Sequence, residues 1–287
     1  IFSTLLLGFM PTVFFQEPRN TELEAAQRKA AELEAELGPE HLDLVAPLNA
    51  VMRIHYGQAR YEKAKGVCRR VLAIKEKALG PEHPDVATSL NNLAVLLKIQ
   101  GSYAEARPLY ERALAIWEKS LGPNHPDVAL VLNNLAVLLE TQGSYAEARP
   151  LYERSLAIKE KTLGPEHSAV ATTLNNLALL LETQGSYAEA RPLYERSLAI
   201  REKAFGPEHP RVATSLNNLA ILLDDMGSYA EARPLYEQGL RSTLNHLSLN
   251  MGSMTEAERF QYLATKQGPE RLLLNLAAMR GEGPEED

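Results

Sequence analysis

The stretch Gly-Ser-Tyr-Ala-Glu-Ala-Arg-Pro-Leu-Tyr-Glu, residues Gly101 to Glu111, returns letter for letter from Gly143, Gly185 and Gly227. The period is 42 residues. Self-similarity at a fixed period of roughly 20–50 residues means one supersecondary unit stacked on copies of itself. Working outward from the quoted stretch, each unit opens with Gly-Pro-x-His, at Gly38, Gly80, Gly122, Gly164 and Gly206. Five units therefore follow one another between residues 38 and 247, and a chain of 287 residues reads as one elongated array. An apolar arm (1–20) and a leading helix (21–37) come before the units, and a helical extension with an acidic tail (248–287) comes after.

Within the unit from Gly80, the glycine ends the preceding helix in a left-handed conformation and Pro81 cannot continue it. Pro84 suits a first helical position. Leu90, Leu93, Ala94, Leu96 and Leu97 then recur at i, i+3, i+4 and i+7, the one-sided stripe of an amphipathic helix. Gly101 stops it. Ser102-x-x-Glu105 opens a second helix with Tyr103, Ala106, Leu109, Tyr110, Ala113, Leu114 and Trp117 on its apolar face. Neither helix can bury its stripe alone, so two antiparallel helices make one unit. Pro108 falls inside the second helix, where a bend is expected in every copy. Thr21-Glu22-Leu23-Glu24 has the form of a capping box that starts the leading helix.

Leu93-Ala94, Gly101, Tyr103, Ala106, Tyr110 and Ala113-Leu114 resemble the tetratricopeptide signature. The 42-residue length, His-Pro-x-Val-Ala and Leu-Asn-Asn-Leu-Ala are similar to the repeats of kinesin light chains and their bacterial relatives. The resemblance covers residues 38–247 and implies an all-α fold, a right-handed α-solenoid (superhelix) of helical hairpins whose first helices line a groove. The first unit departs most, with Ala50 for the second Asn, Ala59 for the Gly, and Arg53, His55 and Tyr56 at positions elsewhere aliphatic or charged. Such departures suit an end-cap whose outer face lacks a neighbour. The run from Met254 through Phe260 to Ala264 resembles the segment that follows the repeats in bacterial proteins with a caspase-like (CHAT) protease domain, but no His/Cys pair comes after it.

Composition narrows the function. A net charge of -7 with no basic run argues against a nucleic-acid surface. No phosphate-cradling Gly loop, no Ser/His/Asp set and no paired carboxylates in an evident pocket can be read from the sequence, so the expectation is a non-enzymatic protein without a cofactor. His83, His125, His167 and His209 come once per unit and cannot converge on one ion, which favours a structural loop role over metal binding. The single cysteine, Cys68, stands where the other units have Tyr110, Tyr152, Tyr194 and Tyr236, and reads as a small buried hydrophobe.

The Asn pairs are the sharper feature, because helix interiors disfavour Asn. The second of each pair, as in Asn92, reads as a bond to neighbouring helices. The first, at Asn49, Asn91, Asn133, Asn175 and Asn217, is placed by the resemblance on the groove floor, where a carboxamide can meet the backbone of an extended peptide. Val95, Val137, Leu179 and Ile221 lie one turn on, with Glu140, Glu182 and Asp224 near the edge. The expected partner is thus a protein or peptide, an extended segment or a helix of apolar or basic character.

Residues 1–15 carry no charge, and they are too short for a membrane span, which needs about 20 apolar residues. Phe2, Leu5, Leu6, Leu7, Phe9, Phe14 and Phe15 need cover. The arm either bridges subunits into a homo-oligomer or filament, or folds back on the leading helix, or remains from a secretory signal; the protein is secreted in the last case and cytoplasmic otherwise. The CHAT-like run adds the alternative of a regulatory repeat region belonging to a protease.

Overall fold

A computed structural model of the protein describes residues 17–250. The apolar arm at residues 1–16, and the helices, CHAT-like run and acidic tail expected at residues 251–287, lie outside the described residues. The described chain holds eleven α-helices and no strand. A leading helix, α1 (Glu17–Leu37), is followed by five first-and-second helix pairs. These are α2 (Val45–Gly57) with α3 (Tyr61–Leu79), α4 (Pro84–Ile99) with α5 (Tyr103–Leu121), α6 (Pro126–Thr141) with α7 (Tyr145–Leu163), α8 (Ser168–Thr183) with α9 (Tyr187–Phe205), and α10 (Pro210–Asp225) with α11 (Tyr229–Asn250). Contacts divide the chain inside α6, between Leu138 and Leu139, into two compact units. In the first, α1 packs on α2, α2 on α3, α3 on α4 and α4 on α5; in the second, α7 packs on α8 and each helix on the next through to α11. This is the all-α, helix-hairpin architecture that the periodicity predicts.

Local chemistry explains each boundary. The histidine of every Gly-Pro-x-His is an N-cap: His41, His83, His125, His167 and His209 each accept at Nδ1 from the backbone N–H two residues on, at 3.1–3.3 Å. An N-cap acceptor satisfies one of the donors a helix start leaves open. First helices end in a Schellman pair, in which Ser102 N donates to the Leu97 carbonyl at 2.9 Å and Gly101 N to that of Lys98 at 3.0 Å. Second helices end differently from the left-handed cap expected of them. Gly80 has φ 87° and ψ 154°, a mirror-extended conformation open in practice to glycine alone.

Two expected capping boxes are not formed as read. α1 begins at Glu17, so Thr21 sits inside the helix. Ser102 precedes α5 but makes no side-chain cap bond, since it already closes the Schellman pair of α4 and its ψ is 58°. α5 continues without a break through Pro108, which is exposed.

The core follows the stripes. Leu90, Leu93, Ala94, Leu96 and Leu97 of α4 are buried, as are Ala106, Tyr110, Ala113 and Trp117 of α5. Cys68 is buried too, and desolvation pushes its thiol up to about 11. Ion pairs tie successive second helices: Arg112 to Glu76 at 2.7 Å, Arg196 to Glu160 at 2.6 Å, and Arg191 to Glu231 at 2.8 Å, with Arg191 also paired to Glu195 of its own helix at 2.8 Å. These groups are a third or more exposed, so each pair contributes little.

One position in the second helices breaks the apolar pattern. Trp117 is buried in α5, but its counterparts are Lys75, Lys159 and Arg201. Lys159 donates to Thr173 Oγ1 at 2.7 Å, and desolvation pushes its ammonium down to about 8 from 10.5. Because the folded state binds the proton less tightly than the unfolded chain, the penalty is complete below about pH 8, shrinks as pH rises from 8 to 10.5, and is gone above that. Lys159→Met should therefore stabilise the protein by roughly 1–3 kcal/mol at pH 7, a gain that fades by pH 10. Urea midpoints at the two pH values check this, and a gain that grows with pH would contradict it. A second prediction concerns Ala59, the non-glycine residue with positive φ (55°) among the described residues, at the place of Gly101. Ala59→Gly should raise stability by about 0.5–1 kcal/mol in thermal unfolding, as the steric cost relieved exceeds the entropy added.

Candidate ligand-binding face

On the first helices α4, α6 and α8 a stripe left uncovered runs at i, i+4, i+7 and i+11, one side of an α-helix. In α4 these are Thr88, Asn92, Val95 and Ile99; in α8 they are Thr172, Asn176, Leu179 and Thr183. Val95, Val137 and Ile221 are half-buried, while Leu179 at 39% and Leu130 at 43% exposure stand clear of the core. The predicted column of Val95, Val137, Leu179 and Ile221 is thus on the outward face of its helices.

The second Asn of the pair bonds to a neighbouring helix as expected, but the group it meets there is the first Asn of the preceding repeat, which is buried. Asn91 and Asn175 are buried, and their Oδ1 atoms accept from the second Asn of the next repeat, Asn134 Nδ2 at 3.0 Å and Asn218 Nδ2 at 2.9 Å. The second Asn stands on the outward stripe at Asn92, Asn134 and Asn176, half-buried, with only Asn218 fully covered. Asn133 and Asn217 are buried like Asn91, and Asn49 is half-buried. The Oδ1 of Asn217 has no partner among the described residues, where the array offers no further Asn pair. The carboxamide assigned from the sequence to a ligand's backbone therefore sets repeat-to-repeat register. A helical wheel drawn through Val95 instead of through the pair would have placed Asn92 on the face.

The acidic edge has partners that the sequence did not reveal. Glu140 accepts from the Tyr152 hydroxyl at 2.5 Å and Glu182 from that of Tyr194 at 2.7 Å. Burial, and then the Glu140 carboxylate, push the Tyr152 hydroxyl up, so it stays a donor. Burial and the neighbouring Asp225 raise the carboxyl of Asp224 above its ordinary value. Charge separates by unit: the first-helix face of the first unit carries Arg53 and Lys98, and that of the second carries Glu140, Glu182 and Asp224. Beyond the ends of α8 and α10 an open cleft of about 540 Å³ is lined by Tyr187, Glu189, Asp225 and Met226 among others. Among the described residues no group of three or more His, Cys, Asp or Glu could hold a metal ion, and no helix is long and apolar enough to cross a membrane.

The tetratricopeptide repeat model matches the chain at residues 53–101, 85–161, 129–203 and 169–244. The chain belongs to the tetratricopeptide repeat family. Its 42-residue repeats are of the kinesin-light-chain-like kind. A solved kinesin light chain from Podosopora anserina, titled as having nearly identical TPR-like repeats, is 30% identical with a TM-score of 0.60, over 72% of this chain and 98% of that one. BtubC (BKLC) from P. vanneervenii superposes with a TM-score of 0.68 at 22% identity, over 81% of this chain and 92% of that one. The apo quorum sensor NprR from B. thuringiensis has a TM-score of 0.64 at 16% identity, over 94% of this chain and 68% of that one; these last two show the fold alone. No curated protein matches the sequence.

The Asn–Asn bond is separable from any ligand role. Asn175→Ala leaves the Asn218 carboxamide without its acceptor and should cost about 1–3 kcal/mol in urea unfolding. Asn175→Ala with Asn218→Ala should cost clearly less than the sum of the two single changes. Strict additivity would show that the bond does not couple the repeats.

Proposed function

We infer from the family that this protein is a non-catalytic scaffold for protein–protein interaction. We propose that this protein captures an extended peptide or a helix along the outward faces of its first helices, and that the second unit prefers segments combining apolar and basic side chains. The observation that carries the reading is the column of apolar side chains that the fold leaves uncovered, with Leu179 exposed and Ile221 half-buried beside Glu182 and Asp224. Burying one such side chain contributes on the order of 1.5–3 kcal/mol, and apolar side chains repeated on a rigid array suit a ligand pre-ordered by its own extension. The carboxylates add selectivity: they repel acidic segments and attract basic ones, chiefly through the rate of encounter. Asn92 stands half-buried at the same level in the first unit, and Asn134 does too with its Nδ2 engaged by Asn91.

Random-sequence peptide display against the full chain tests this directly. Recovered peptides should pair apolar residues with Lys or Arg, and acidic peptides among the winners would overturn the reading. Leu179→Asp and Ile221→Asp should each weaken a recovered peptide at least about tenfold, with far-ultraviolet circular dichroism unchanged.

A further inference from the structure

The histidine caps all depend on one state of an imidazole. To accept at Nδ1 from a backbone N–H, the ring must be neutral, with its proton on Nε2. Protonation fills Nδ1 with a hydrogen, which removes the cap bond and sets a cation against the positive end of the helix. Three of the five histidines have a carboxylate beside the same atom. Asp43 Oδ2 lies 3.6 Å from His41 Nδ1, Asp85 Oδ2 4.0 Å from His83 Nδ1, and Asp127 Oδ2 3.5 Å from His125 Nδ1. A new Nδ1–H at those places meets an acceptor of opposite charge. At α8 the residue two positions on is Ala169, whose N–H donates to His167 Nδ1 at 3.1 Å and whose methyl group offers no acceptor in exchange.

The charged groups that meet this corner of the fold are engaged elsewhere. Glu166 is paired with Lys203 of α9, as Glu40 is with Lys77 and Glu82 with Lys119 in the first unit, so the residue two positions after the histidine is what differs. Arg196 of α9 donates to the Pro165 carbonyl and pairs with Glu160 of α7, and Lys159 of α7 donates to Thr173. At α10 the corresponding residue is Arg211, and there the His209 ring is also stacked on Phe205 at 4.6 Å. We propose that His167 is an acid-sensitive cap, which holds the first turn of α8 closed at neutral pH and releases it when the imidazole is protonated. Because the capped turn excludes the proton and the open turn accepts it, the cap is complete well above the range in which a free imidazole titrates, about pH 6.5, and is lost as pH falls through that range. The turn leads into Thr172, the first residue of the uncovered stripe of α8, so acid reshapes one end of the candidate face. The cap works in the same way whether or not that face takes a ligand.

Amide hydrogen exchange of the full chain, resolved by residue with nuclear magnetic resonance and corrected for the intrinsic effect of pH, provides the test. Between about pH 7.5 and about pH 5.5 the Ala169 N–H should lose roughly fivefold to tenfold in protection, whereas the capped N–H groups of Asp85 and Asp127 should change less than about twofold. Ala169→Asp, which supplies the carboxylate found beside the first-unit caps, should abolish the loss. His167→Asn, a cap that does not titrate, should keep protection level at both pH values. Unchanged protection of Ala169 in the unaltered chain would overturn the proposal, as would a loss of the same size in Ala169→Asp. A loss shared by the amides of the buried Leu174 and Leu177 would overturn it too, by showing that acid opens the whole helix and not its cap.

Discussion

Every element of this protein depends on one constraint: neither helix of a hairpin can cover its own apolar stripe. α4 hides Leu90, Leu93 and Leu97 only because α5 and α3 lie against it, and α5 hides Tyr110 and Trp117 on the same terms. Ala94, Ala106 and Ala113, all fully buried, sit where the backbones come together. Stacked units satisfy each other in turn, so stability accumulates along the array through contacts between neighbours. Toward the limits of the described residues lie an open cleft beside α1 and the Oδ1 of Asn217, which has no partner among the described residues.

Hydrophobic burial alone would tolerate small slips between almost identical units. The polar ties do not. An Asn134–Asn91 bond or an Asn218–Asn175 bond forms at one register only, and a buried carboxamide left without a partner is costly. The ion pairs between second helices repeat the same spacing at the surface, where solvent reduces their energy but not their geometric preference. Lys159 and Arg201 show the opposite case, in which a buried cation rests on hydroxyl and carbonyl oxygens and weakens the core that Trp117 fills so completely.

A rigid register has a functional consequence. Within each unit the outward residues of neighbouring first helices are tied by packing and by the Asn–Asn bonds, which pre-orders any surface they make there. On the second unit that surface combines Leu179 and Ile221 with three carboxylates, two of them fixed by tyrosine hydroxyls. The Glu140 and Glu182 side chains are therefore oriented by the fold itself.

The sequence by itself determined the repeat, the helical hairpin, the boundaries at Gly80 and Gly101 and the buried stripes, because these follow from local rules that one period of 42 residues states several times over. It also placed the Val95 to Ile221 column near the surface. Only the tertiary structure decided what the inward Asn of each pair meets. A helical wheel separates Asn91 from Asn92, but the Nδ2 of Asn134 that Asn91 accepts from belongs to another helix. The tyrosine partners of Glu140 and Glu182, and the histidine caps, were hidden for a related reason. The sequence shows that His83 and Tyr152 recur, but a recurring side chain acquires its role from the acceptor or donor that folding brings within about 3 Å of it.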